Sequence, residues 1–346
     1  MVLDDYERDG AAAKTGIPKK DFGDDLTRYY ADATAMSRIH GGGGIEAPIG
    51  CGKAAGKTVV DGAIIGAPAS SAGAVTIPVT LYTGTTPVAT ALVTADPAGR
   101  LTGVTCQPPA APNLPGADVL AGFYGSVAAS ATDPEADDKT KALKDEYLAP
   151  AFAKFTRPDV DADQALCAED AMTYWHAVYA PGATTTGAQW YFNSGGTNQV
   201  NMSVAVDAAA SRVAWVYCFG QLVPPLTPGG AYSDSQVQSF VGDLFNDYAY
   251  LLALKPFGAD ASGMKAYFAS DAAYQAAVTG TGAQPLECSA TPAVSIGADT
   301  ATITGDTAVV ELTSSPSGHP VTSGALGHMK VTVDLATMRF TSAVCE

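Results

Sequence analysis

Apolar residues recur along this chain with two periods, and the periods alternate in blocks. Val237, Phe240, Val241, Leu244, Phe245 and Tyr248 follow the i, i+3, i+4, i+7, i+8, i+11 pattern of an amphipathic helix, with Ser233 or Asp234 as its N-cap. Phe22, Leu26, Tyr29, Tyr30 and Ala33 predict a similar helix earlier in the chain. Leu143, Tyr147, Leu148, Ala151, Phe152 and Phe155 predict another, with Pro150 as a kink or as the start of a second helix. A further helix is expected near 262–278, built on Met264, Tyr267, Phe268 and Tyr274. Between these blocks the period drops to two: Val75, Ile77, Val79 and Leu81 fall on one face of a strand, as do Ala308, Val310 and Leu312. Helices followed by three or four antiparallel strands make an α+β domain, the helices lying against one face of a curved sheet.

The six cysteines fall in step with this alternation. Cys51 to Cys106, Cys167 to Cys218 and Cys288 to Cys345 are similar spans, and each ends in a similar passage. Arg100, Arg212 and Arg339 each stand six residues before their cysteine, and Asp96, Asp207 and Asp334 precede them after a run rich in Val, Ala and Thr. The passage reads as strand, Asp-initiated turn, and a returning strand opened by Arg. Proline-rich connectors follow two of the cysteines, at 107–117 (Pro108, Pro109, Pro112, Pro115) and 222–230 (Pro224, Pro225, Pro228), and they predict extended spacers. Units of roughly 105–125 residues are too long for solenoid repeats and suit whole small domains. The expected organisation is three tandem α+β repeats, 1–106, 118–221 and 231–346, joined by the linkers 107–117 and 222–230. Six cysteines allow many pairings, but two per repeat point to Cys51–Cys106, Cys167–Cys218 and Cys288–Cys345. Six buried free thiols in a cytosolic protein are the alternative.

Composition narrows the setting without naming a reaction. The 346 residues carry 35 Asp+Glu against 19 Lys+Arg, a formal charge of −16. Such a balance opposes binding to nucleic-acid phosphates or to an anionic membrane through a general positive field. No stretch approaches the roughly 20 consecutive apolar residues of a spanning helix. Residues 1–10 are polar and acidic and do not form an intact signal peptide. With disulfides, the expected location is extracytoplasmic, the leader or membrane anchor lying outside this sequence. The Ala/Gly/Thr-rich, lysine-poor usage points to a high-GC actinobacterial source.

Candidate chemistry is sparse. Gly50, Gly56, Lys57 and Thr58 resemble a phosphate-binding loop, but the required first glycine falls on Cys51, and the residues that follow read as strand rather than helix. A turn entering a strand is the simpler reading. His40 and the four glycines after it resemble the oxyanion loop of lipases and esterases, yet no serine has glycine two residues away on both sides. The histidines His40, His176, His319 and His328 lack metal-ligand spacing, so no metal and no cofactor is expected. The acidic stretches Asp133–Asp138 and Asp159–Asp163 lack the EF-hand order and read as helix caps and solvated faces. All three tryptophans, Trp175, Trp190 and Trp215, fall in the second repeat beside Tyr174, His176 and Tyr191. These six are the candidate ligand-binding residues, as an aromatic pocket for an apolar or glycan ligand. Their simpler role is the core of one small domain. An isomerase or dehydratase site would need an inward-facing pair such as His176 and Asp170.

Element order, unit length and cysteine placement together resemble the nuclear-transport-factor-two-like fold, also called cystatin-like, a cone of bent sheet wrapped on helices. Tandem domains of this kind occur in the scaffold proteins of conjugation and type IV secretion channels of Gram-positive bacteria. The resemblance implies a non-catalytic extracytoplasmic assembly protein, its partners being other proteins of a surface or channel assembly or further copies of itself. The alternative is a cell-surface protein that captures a small ligand in the second repeat.

Overall fold

The computed structural model describes residues 30–32, 34, 35, 39, 51, 60–71, 73–155, 165–167, 172–180, 188–195, 199–219, 226, 228–280, 286–288, 295–315 and 327–346. The fold is α+β, and the chain divides into two compact units, 1–153 with 170–214, and 154–169 with 215–346.

A nine-stranded sheet lies in the first unit except for the end of its last strand, which belongs to the second unit from Trp215 on. Its strands are β1 (Gly62–Ile65), β2 (Ala69–Ser71), β3 (Ala74–Thr83), β4 (Thr86–Ala95), β5 (Leu101–Gln107), β6 (Tyr174–Ala180), β7 (Ala188–Gly195), β8 (Gln199–Asp207) and β9 (Arg212–Phe219). They lie in the order β5-β4-β3-β1-β6-β7-β8-β9, with β2 paired to β3. Val, Ile and Thr alternate through β3 and β4, the β-branched pattern of a pleated surface with two different faces. One face buries Val79, Leu81, Ala89, Ala91 and Val93 against Tyr30, Ala35 and Ile39. The predicted strand pattern from Val75 to Leu81 is met in β3.

Two strand groups meet in this sheet through β1 and β6, which pair in parallel from Gly62 opposite Trp175 to Ile65 opposite Val178. Asp61 organises the junction. Its N–H donates to Tyr82 O (3.1 Å), its carbonyl accepts from Trp175 N (2.9 Å), and its carboxylate accepts from Gly84 N (2.8 Å). Gly62 is required there, because a Cβ would stand 2.3 Å from the indole of Trp175.

The proline-rich segment 107–117 is not a free spacer. Thr80 Oγ1 donates to Ala110 O and Ala110 N donates to Thr90 Oγ1, each at 3.2 Å, so the segment is held on a cross-strand threonine pair of β3 and β4. A helical run follows, from α1 (Ala117–Leu120) through a π-turn at Ala121–Gly125 to α2 (Ser126–Ser130), where no helix is predicted. Helix α3 (Ala136–Tyr147) follows N-cap Glu135 without a side-chain cap, and in the acidic leader before it Asp133 accepts from Glu135 N at 2.9 Å and pairs with Lys139. The helical pattern predicted through Phe155 breaks instead at Leu148, which is extended (φ −84, ψ 146) and bridges Val213. Proline two residues on disfavours helix at Ala149, and Ala149 N donates to Val213 O (2.9 Å). Phe152–Lys154 is then a separate 3-10 turn.

The second unit packs α4 (Asp234–Leu254) and α5 (Asp271–Gly280) with a four-stranded antiparallel sheet, β10 (Ser295–Thr304), β11 (Thr307–Ser315), β12 (Gly327–Asp334) and β13 (Arg339–Cys345), in that spatial order. Ser233 is the N-cap of α4 and forms a capping box with Gln236. Val237, Phe240, Val241, Phe245 and Tyr248 meet Val310, Leu312, Met329, Val331 and Phe340 in one core. The single helix expected near 262–278 is two elements. Ser262–Tyr267 forms a 3-10 helix, and Phe268 turns extended (φ −86, ψ 148) before α5 begins. The reason is tertiary: Phe268 bridges Phe340 on β13, rings 5.5 Å apart edge to face, and Ala269 N donates to Phe340 O at 2.9 Å.

Three disulfides close the expected pairs, Cys51–Cys106, Cys167–Cys218 and Cys288–Cys345, with Cα–Cα distances of 5.6, 5.4 and 5.3 Å. Cys51, Cys167 and Cys288 share one backbone state, φ 49, 54 and 52, in the left-handed region that non-glycine residues seldom occupy.

Candidate functional site

The three passages before the second cysteines fold alike. Asp96 Oδ1 accepts from Ala98 N and Arg100 N at 2.9 Å, Asp207 Oδ1 from Ala209 N and Ala210 N at 3.0 Å, and Asp334 Oδ1 from Ala336 N at 2.9 Å. Each aspartate thus begins its turn by binding nearby N–H groups. The residue before each arginine, Gly99, Ser211 or Met338, has φ of 80, 52 or 51. The arginines then diverge. Arg100 returns to Asp96 (2.8 Å), Arg339 opens β13 opposite Asp334, and Arg212 reaches the end of α3, donating to Leu148 O (2.6 Å) and Asp145 O (3.2 Å). Asp96 is held below the usual carboxylate range, first by the Arg100 backbone N–H and then by its guanidinium.

Of the six aromatic-strand candidates, the side chains of Trp190 and Tyr191 lie outside the described residues, and the other four are placed as follows. Tyr174, Trp175 and His176 are consecutive on β6, so Trp175 is on the face opposite the other two. All three are buried, and Trp175, 0% exposed, lies against Gly62 with the Tyr82 ring 5.5 Å away. Position 190 on β7 is in register with Tyr179 and position 191 with Val178, which again fall on alternate faces. Trp215, 1% exposed, is on β9. Val213 through Tyr217 on that strand are buried at every position. Near it, the Tyr250 ring of α4 lies tilted against that of Tyr217 (5.0 Å), and its hydroxyl donates to Val216 O (3.4 Å). The described members, Tyr174, Trp175, His176 and Trp215, are packed side chains.

Burial dominates the remaining electrostatics. It pushes the Tyr82 hydroxyl up to about 12, with the charge of Asp118 adding to the effect. Tyr248 moves up further for the same reason, with Tyr274 and the buried Glu287 next in influence. Asp133 is held low by its hydrogen bond from Lys139, and Lys330 high by its bond to Glu346. His328 Nδ1 lies 3.3 Å from Thr313 Oγ1, which also bonds Asp299. Among the described residues no three of His, Cys, Asp and Glu come together as a metal-binding group, and no helix is long and apolar enough to cross a membrane. His40 with its glycines, residues 52–58 of the phosphate-loop resemblance, Asp159–Asp163, Asp170 and His319 lie outside the described residues.

Edge management is the feature that sequence reading missed. The stripe Asp234, Gln238, Gly242 and Asn246 of α4 runs along β10. Asp234 Oδ1 accepts from Ile303 N (3.2 Å), Gln238 Nε2 donates to Ala298 O (2.9 Å) and Asp299 O (3.0 Å), and Asn246 Oδ1 accepts from Ile296 N (3.2 Å). Its signal was there: polar or small residues at strict i+4 spacing along one stripe of the helix. Comparison of the chain with protein-family models and with curated proteins finds no match.

Proposed function

We propose that the chain is a non-catalytic extracytoplasmic assembly protein, a scaffold of a conjugation or secretion channel. In this reading it is made of three repeats, 1–106, 118–221 and 231–346, each a four-stranded meander clasped by one disulfide. The observation that carries it is the parallel β1–β6 union, by which the strands of two cysteine-bracketed meanders become one continuous sheet. Building by strand pairing between disulfide-clasped units suits a rigid platform that others assemble upon. The shared left-handed cysteine and the shared Asp-initiated hairpin support the equivalence of the repeats. Intact disulfides require an oxidising compartment, which supports the location. Partners are other proteins of the assembly and further copies of the chain.

Deletion of the gene in its host tests this reading. Conjugative transfer or protein export is expected to fall, and to return with a plasmid copy but not with one lacking Cys51 and Cys106. Unchanged transfer and export in the deletion strain overturn it.

A further inference from the structure

A strand at a sheet edge presents a row of N–H and C=O groups that template pairing with another chain, and proteins cover such edges. Strand β10 is ten residues long, contains Asp299 as its only charge and no proline, and is rich in Ile, Thr and Ala. That is the composition of a strand that pairs readily. Its inner side pairs with β11, and its outer side is occupied by the α4 stripe. The groups bound there, Ile296 N, Ala298 O, Asp299 O and Ile303 N, are backbone groups of the kind a neighbouring strand would take. The helix comes this close because position 242 is glycine; a Cβ there would lie 3.0 Å from that of Ala298.

In the first unit, β1 and β6 each begin a meander, as β10 does, and they pair with each other. We propose that the Asp234–Gln238–Asn246 stripe is a removable cover on a strand-addition edge, and that the strand it excludes is β10 of a second copy of this chain. A second copy is the partner favoured by two observations. First strands already join first strands within this chain, and β10 brings a single carboxylate to the contact although the chain carries −16 overall. Between two copies the β10 strands run antiparallel, unlike the parallel β1–β6 pair, because the two-fold operation reverses one of them; such a contact closes on itself and yields a dimer. The inference deepens the assembly reading and rests on it for the partner.

The test is the triple variant Asp234→Ala/Gln238→Ala/Asn246→Ala, with light scattering over a wide concentration range and amide exchange read residue by residue. A discrete dimer is expected, in which the Ile296 and Ile303 amides exchange at least about tenfold more slowly than in the same variant diluted to monomer. A synthetic peptide of residues 295–304 should dissociate that dimer, and the same peptide carrying Ala301→Pro should not. A folded variant that stays monomeric overturns the proposal, as does a dimer whose β10 amides exchange freely. Gly242→Val keeps the three polar side chains while forcing the helix off the strand, and the same dimer is expected if the triple variant does not fold. In the unmodified protein, the two amides should exchange through an opening smaller than global unfolding of the second unit; exchange only by global unfolding overturns a removable cover. A monomeric variant refutes the β10 contact alone and leaves the deletion phenotype, which tests the assembly reading, untouched.

Discussion

At the scale of single residues, the same side chain does different work in the three hairpins. Arg100 closes on its own turn, an ion pair open to water and screened by salt. Arg212 instead gives its guanidinium to two carbonyls at the end of α3, where the helix has no intrahelical donors left. Hydrogen bonds from a charged donor contribute about 1.5–3 kcal/mol. Arg212→Ala is therefore expected to lower the stability of the first unit by that amount in urea denaturation, and Arg100→Ala to cost distinctly less. Tyr82 sets an alkaline limit on the same unit. Its folded-state hydroxyl titrates at about 12 against an ordinary 10.0, so between these values the unfolded chain loses a proton that the folded chain keeps. Stability is full below pH 10, falls as pH rises toward 12, and Tyr82→Phe should flatten that fall in denaturation curves taken at each pH.

At the scale of elements, boundaries were decided by what each segment meets. Helix α4 starts at its predicted N-cap because Ser233 and Gln236 complete a capping box without tertiary help. The pattern 262–278 is periodic enough for one helix, yet Phe268 leaves it to bridge β13, burial against Phe340 outweighing the helical bonds forgone. The β1–β6 pairing depends on a missing side chain. Gly62→Ala would drive a Cβ into the Trp175 indole, and overpacking of this kind costs about 1–3 kcal/mol. Thermal unfolding followed by tryptophan fluorescence should show the loss, with amide exchange at Ala63 and Ile64 accelerating first.

At the scale of the whole molecule, the chain divides into two compact units, and two calorimetric transitions are expected. The Cys288–Cys345 bond closes a span of 57 residues wholly within the second unit. Its removal by Cys288→Ser/Cys345→Ser should destabilise that unit by about 4 kcal/mol through loop-closure entropy. One transition should move and the other should stay. A shift of both by the same amount contradicts independent unfolding.

Local rules were legible from the chain alone. The Asp-turn-Arg-Cys passages, the cysteine pairing, the N-cap of α4 and the period-two face of β11 each depend on residues close in sequence or on a repeated count. The aromatic cluster around Trp175 was legible as composition but not as place, because a strand sends neighbours to opposite faces and only the pairing partners say what each face meets. The joining of β1 to β6, the clasp of Ala110 between Thr80 and Thr90, and the polar stripe over β10 belong to tertiary structure. Each brings together groups far apart in the chain, and backbone hydrogen bonds at a sheet edge carry no side-chain signature of their partner. Sequence determined the cysteine clasps and the Asp-initiated turns; tertiary structure decided which edges are joined and which is covered.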